Sequence, residues 1–142
     1  MTIAEKETQI ISEFALFGDW MDKYSYLIEI GKSLPVIDEQ YKTDQYLITG
    51  CQSQVWLHAS YREGKVFFSA DSDAIITKGI VNLLIQVLSD QTPDDILAAG
   101  MDFINVIGLK EHLSPTRSNG LTSMIKQMKL YALAFKTKIE RE

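Results

Sequence analysis

The chain has 142 residues, 46% apolar and 23% charged, which fits one ordinary globular domain over residues 1–142 with a single core. Its formal net charge of -5 argues against nucleic acid as a partner, because a broad phosphate-binding surface needs clustered Lys and Arg to displace counterions. No stretch approaches the roughly 18 to 20 apolar residues of a membrane span, and Glu5, Lys6 and Glu7 put charge where a secretory signal would carry its apolar run; a cytoplasmic location without membrane contact is expected.

Thr2 and Glu5 form a T-x-x-E capping box ahead of Ile10, Phe14 and Phe17 at helical spacing, which predicts a first helix. Gly18 interrupts it and Asp19 can cap again. Trp20, Tyr24, Leu27, Ile28, Gly31 and Leu34 then mark one face of a second helix that Pro35 stops. From Tyr46 the period changes. Tyr46 to Ile48 reads as a short strand, and Val55, Leu57, Ala59 and Tyr61 alternate with Trp56, His58 and Ser60 as a second. Arg62-Glu63-Gly64-Lys65 is a hairpin turn, and Val66 to Ala70 is the returning strand.

Asp71-Ser72-Asp73 reads as an N-cap cluster for the amphipathic helix marked by Ile76, Ile80, Leu83, Leu84, Val87 and Leu88. Thr92-Pro93 starts a short helix with proline in its first position. Ser114-Pro115 repeats that device before Leu121, Met124, Ile125, Met128, Tyr131 and Phe135, the apolar face of a long final helix. Helices before and after one antiparallel meander predict an α+β fold with a three-stranded sheet packed between N-terminal and C-terminal helices.

The chemistry centres on the one cysteine, Cys51. A lone thiol forms no internal disulfide, suits a reducing compartment, and cannot supply the thiolates of a cluster or structural zinc site. His58 and His112 show no metal-ligand spacing, so no resident metal is expected. Cys51 falls in the loop Thr49-Gly50-Cys51-Gln52-Ser53-Gln54, where Gly50 permits a tight turn or a close approach and Gln52 and Ser53 can satisfy loop amides. Free cysteines are commonly small buried hydrophobes; the alternative is a nucleophile on a loop. Arg117, in the first turn of the last helix, opposes the macrodipole at a cost of about 0.3 to 1 kcal/mol. Either it bends into water or it serves an anion.

Gly50-Cys51-Gln52-Ser53-Gln54-Val55-Trp56 resembles the cysteine-bearing signature of the SufE family, sulfur acceptors in iron–sulfur cluster assembly. Ser114-Pro115-Thr116-Arg117-Ser118-Asn119-Gly120-Leu121 is similar to that family's second signature, and Asp71-Ser72-Asp73, Lys78-Gly79 and Thr92-Pro93 fall in the family's order. The likeness runs from about Asp19 to Phe135; the first helix and the tail from Lys136 match nothing assigned.

The resemblance implies a SufE/IscU-like fold and a sulfur carrier without turnover of its own. Cys51 takes persulfide sulfur from a cysteine desulfurase of SufS or CsdA type, stimulates that enzyme, and delivers sulfur to a SufBCD-type scaffold. The persulfide on Cys51 is the intermediate, no cofactor is bound, and pyridoxal phosphate belongs to the partner. Gly50, Gln52, Ser53, Asp73 and Arg117 are implied as supporting or partner-contacting residues, and a homodimer is compatible. Because a persulfide open to small thiols would be reduced away, Val55, Trp56 and the neighbouring apolar helices are expected to shelter the thiol. The competing reading is a thiol hydrolase or peroxidase with Cys51 as nucleophile and His58 or His112 as base.

Overall fold

The computed structural model describes residues 1–141. Helix α1 (Ile3–Phe14) begins at the predicted capping box: Thr2 accepts the Glu5 amide and the Glu5 side chain accepts the Thr2 amide. Asp19 caps helix α2 (Trp20–Lys32) through the Asp22 amide. Strands β1 (Val55–Arg62) and β2 (Lys65–Ser72) form an antiparallel hairpin with Val55 opposite Ser72 and Arg62 opposite Lys65. Its turn places Glu63 and Gly64 at φ 52° and 82°, the left-handed pair that matches the twist of a tight hairpin.

Helices α3 (Ile75–Leu88), α4 (Pro93–Ala98), α5 (Phe103–Val106), α6 (Leu109–His112) and α7 (Pro115–Arg141) complete the described chain. Thr92 caps α4 through the Asp95 amide with Pro93 at its first turn, as predicted. Alternate residues of the hairpin, Val55, Leu57 and Ala59 on β1 and Val66, Phe68 and Ala70 on β2, are buried on one face, where α3 and α7 pack. Tyr131 of α7 donates to the Leu57 carbonyl at 3.0 Å and so fixes the long helix across β1.

Helix α2 lies against α3 at a glycine crossing. A Cβ on Gly79 would stand 2.2 Å from the Leu27 carbonyl oxygen, and one on Gly31 would stand 2.8 Å from the Gly79 nitrogen. Only missing side chains let the two backbones approach so closely. Buried Asn82 secures the crossing by donating to the Ile30 carbonyl at 2.8 Å. Among the described residues no helix is long and apolar enough to cross a membrane.

The fold is α+β, but its sheet has two strands and not three. The predicted strand from Tyr46 to Ile48 is instead the end of a 3₁₀ turn, Asp44–Tyr46, followed by a single bridge between Leu47 and Trp56. Ile48 donates to the Val55 carbonyl at 2.9 Å, and pairing stops there because Gly50, at φ 91°, turns the chain away from β1. A second correction concerns Asp71-Ser72-Asp73. None of the three caps α3, whose N-cap position is Ala74 with no side-chain bond. The Asp71 carboxylate faces Lys42 at 3.1 Å and Lys78 at 3.4 Å; burial alone would raise its pKa, and these ammonium groups with the Ser72 amide bring it below the usual value.

Candidate functional site

The Cys51 loop runs from the Gly50 turn to the first residue of β1, and it lies on the N-terminal third of α7. Gly50 is needed first for its backbone, with a lesser steric contact beside it. Its positive φ is disfavoured for other residues, and a Cβ there would stand 2.4 Å from Ser123 Oγ. The far end of the loop is tied to the end of β2 and the residue after it: Asp73 accepts the Gln54 amide at 3.1 Å, while Ser72 Oγ donates to the Gln54 carbonyl at 2.7 Å. Asp73 therefore supports the loop that carries the thiol.

Cys51 is half-buried. Its Sγ lies 3.7 Å from the Gly120 carbonyl oxygen, and a Cβ on Gly120 would come within 3.4 Å of the sulfur. The thiol faces a cleft of about 290 Å³ whose lining includes Gln52, Ser53, Ile80, Arg117 and Met124. Ile80 and Met124 are buried core residues, whereas Arg117 is exposed, with its backbone amide held by Ser114 Oγ at 3.3 Å. Burial pushes the Cys51 pKa up, so the resting group is the protonated, weakly nucleophilic thiol.

The structure thus brings Cys51, Gln52, Ser53 and Arg117 to one cleft, with Gly50 and Asp73 holding the loop from behind. Of the shelter expected from Val55, Trp56 and the neighbouring apolar helices, the helices supply the cleft lining and the two β1 residues do not. Trp56 pairs with Asp71 on β2, its ring 5.1 Å below the Lys42 ammonium, and Ile80 and Met124 take its place beside the thiol. Sequence pattern marks Met124 only as part of an apolar helix face and gives Gly120 no role at the thiol. The signal for Gly120 was a glycine inside a strongly predicted helix, a residue that costs helix stability unless something must come close.

Neither histidine lines the cleft. His58 stacks on Tyr41 with ring centroids 3.6 Å apart, and His112 stacks on Trp20 at 4.0 Å while its Nδ1 meets the Gly108 carbonyl. The nucleophile–base pair that a thiol hydrolase requires is therefore not assembled among the described residues.

Residues 8–132 match the family model described as SufE, Fe-S metabolism associated domain. The chain belongs to the SufE family. It is 38% identical to SufE-like protein 1, chloroplastic/mitochondrial, of Arabidopsis thaliana over 96% of its own length and 37% of the plant protein's. It is 40% identical to an uncharacterised SufE-like protein of Rhizobium meliloti, covering 85% of this chain and 90% of that one. A solution structure of a hypothetical protein from Thermus thermophilus superposes with a TM-score of 0.77 at 22% identity, over 93% of this chain and 96% of that chain. That likeness establishes the fold alone. Membership of the SufE family carries a role in Fe-S metabolism.

Proposed function

We propose that this SufE-family chain is a sulfur acceptor that takes a sulfane sulfur from the persulfide of a cysteine desulfurase onto Cys51 and passes it on for iron–sulfur cluster assembly. The observation that supports it most is the seat of Cys51, a lone thiol on a glycine-hinged loop, held against the Gly120 carbonyl and facing a cleft with an arginine at its edge. In the transfer the Cys51 thiolate attacks the outer sulfur of the partner's persulfide. A new S–S bond forms on Cys51, the partner's S–S bond breaks, and its thiolate departs. The exchange is redox-neutral and asks for no cofactor on this chain; pyridoxal phosphate does its work in the desulfurase.

A persulfide open to small thiols would be reduced between partners. The half-buried seat protects it, and the cleft has volume for one more sulfur atom. Attack, however, requires a thiolate, which burial disfavours. Docking must then turn the loop outward, and Arg117 offers a cation to the anion once exposed. Gln52, which is exposed, and Ser53 line the cleft next to the thiol, where a partner drawing the loop outward would touch them. The downstream acceptor in this reading is a SufBCD-type scaffold, and the site of action is the cytoplasm.

Intact-protein mass spectrometry after incubation with a desulfurase, pyridoxal phosphate and cysteine tests the reading. One sulfur should be added to the parent and none to Cys51→Ser. Arg117→Ala should accept sulfur about tenfold more slowly, the scale of one charge-assisted contact, with stability unchanged. Transfer to the serine variant at the parent rate would end the carrier reading.

A further inference from the structure

The second face of α7 carries a feature that sulfur acceptance does not use. Between α7 on one side and α4 to α6 on the other lies an apolar groove of about 500 Å³, with Leu97, Met101, Ile104 and Ile125 in its lining. It continues along α7 into a further hollow of about 510 Å³ that shares Leu130 and Leu133. These two leucines are 46% and 47% exposed and, three residues apart on one helix face, extend the apolar lining outward as a contiguous patch.

The charge of the groove is opposite to that of the chain. Acidic residues outnumber basic ones by 19 to 14 overall. Yet Lys110, Lys126 and Lys129 line the groove, Lys138 and Arg141 line its continuation, and among the described residues no carboxylate lines either. Lys129 donates to the Ala99 carbonyl at 2.5 Å. Among the described residues Lys110 and Lys126 pair with no carboxylate, as is true of Lys6 and Lys23 outside the groove, whereas Lys32, Lys42, Lys65, Lys78 and Lys136 each pair with one.

We propose that this groove docks an amphipathic helix of a partner protein, a leucine-type stripe flanked by Asp and Glu. From Thr122 to Lys138 the groove follows α7 for about 24 Å at helical rise, the reach of a helix of four to five turns and longer than a compact small molecule. The first hollow, from Thr122 to Leu133, is concave between α7 and the α4–α6 side, so a flat bilayer would touch only its rims, while the continuation is lined by α7 alone. A second copy of this chain laid symmetrically on α7 would set lysines against lysines. An acidic helix meets both properties, since its stripe fills the floor and its carboxylates reach the rim ammonium groups. Helix α7 presents Gly120 to Cys51 and Thr122 to the groove, so a helix docked there leaves the thiol cleft open, and the surface adds a contact separate from persulfide exchange.

Fluorescence anisotropy with a labelled model peptide tests the proposal: about four turns of helix with leucines on one stripe and glutamates on its flanks, and a second peptide with every glutamate replaced by lysine. The acidic peptide should bind saturably and weaken with added salt, and the basic one should not bind. Lys110→Glu with Lys126→Glu should weaken binding about tenfold or more, and Leu130→Ser with Leu133→Ser should weaken it without salt dependence being lost. All four positions are exposed or line the groove, and circular dichroism should show the parent fold. Equal affinity for the two peptides, or failure of the acidic peptide to bind, overturns the proposal. So does co-sedimentation with phosphatidylglycerol vesicles, or a concentration-dependent dimer abolished by the leucine substitutions, if either occurs without peptide binding. None of these readouts involves sulfur transfer.

Discussion

The sulfur of Cys51 rests 3.7 Å from the carbonyl oxygen of Gly120, a residue 69 positions later in the chain. The contact joins the Cys51 loop to the body of α7 and sets how far the thiol can retreat. A thiol is a weak donor, so the seat is chiefly one of shape, made by an absent side chain.

Gly120→Ala should be accepted, because its Cβ at 3.4 Å from Sγ only just touches and alanine favours the helix by up to about 1 kcal/mol. Gly120→Val adds methyl groups beyond that limit and should lift the Cys51 loop from α7. The valine variant should lose about 1 to 3 kcal/mol from overpacking, and a bulky maleimide should alkylate it faster than the parent. Parent-like alkylation and stability in both variants would show that the seat does not hold the loop.

Gly50 offers a separable test of the same loop. Its φ of 91° and the 2.4 Å approach of a built Cβ to Ser123 Oγ are two distinct penalties. Gly50→Ala should cost about 1 to 3 kcal/mol through the backbone, and pairing it with Ser123→Ala, which removes the hydroxyl and leaves a Cβ at an ordinary 3.4 Å, should relieve only the steric part. Chemical denaturation of the single and double variants measures both; full recovery in the pair would mean that the backbone carries no strain.

Much of the fold was legible because its signals are local. The Thr2–Glu5 box, the Asp19 cap, the Arg62-Glu63-Gly64-Lys65 turn and the Thr92-Pro93 start each depend on residues within four positions, and each stands where the sequence puts it. The third strand failed because pairing is a property of two segments: Tyr46 to Ile48 has strand-like residues, but the Gly50 turn leaves room for one bridge. The Asp71-Ser72-Asp73 cluster failed for the same reason. Its composition suits a cap, yet Asp73 bonds to Gln54, 19 positions earlier. Helices α5 and α6, four residues each, are too short to show a period. At the site, the two signatures brought Cys51 and Arg117 forward, but only the folded chain puts Gly120 under the sulfur.

The Asp73–Gln54 bond yields a third prediction. Asp73→Ala removes the acceptor of the Gln54 amide while Ser72 still holds the Gln54 carbonyl. Stability should fall by only about 0.5 to 1.5 kcal/mol, but the loop should open more often. Hydrogen exchange at residues 51–54 should accelerate while the β1–β2 ladder keeps its protection. Uniform acceleration through the hairpin would place the role of Asp73 in global stability instead.

The final prediction concerns pH, and its sign follows from burial. Half-burial disfavours the Cys51 thiolate, so the folded pKa lies above the ordinary thiol value, about 8.5 in an unfolded chain. Alkylation proceeds through the thiolate, so the free protein should react slowly near neutrality, with a rate midpoint above that ordinary value. The same shift makes stability depend on pH. Below the unfolded value both states hold the proton, and the contribution of the seated thiol is fully present. As pH rises from there the unfolded chain ionises first, and the contribution falls until the folded pKa is passed. The stability difference between the parent and Cys51→Ser should therefore shift against the parent across that window, and Gly120→Val, with the thiol nearer water, should show less of the shift. A rate midpoint at or below the ordinary thiol value would mean that the resting seat activates Cys51 instead of restraining it, and docking would then have no thiolate to release.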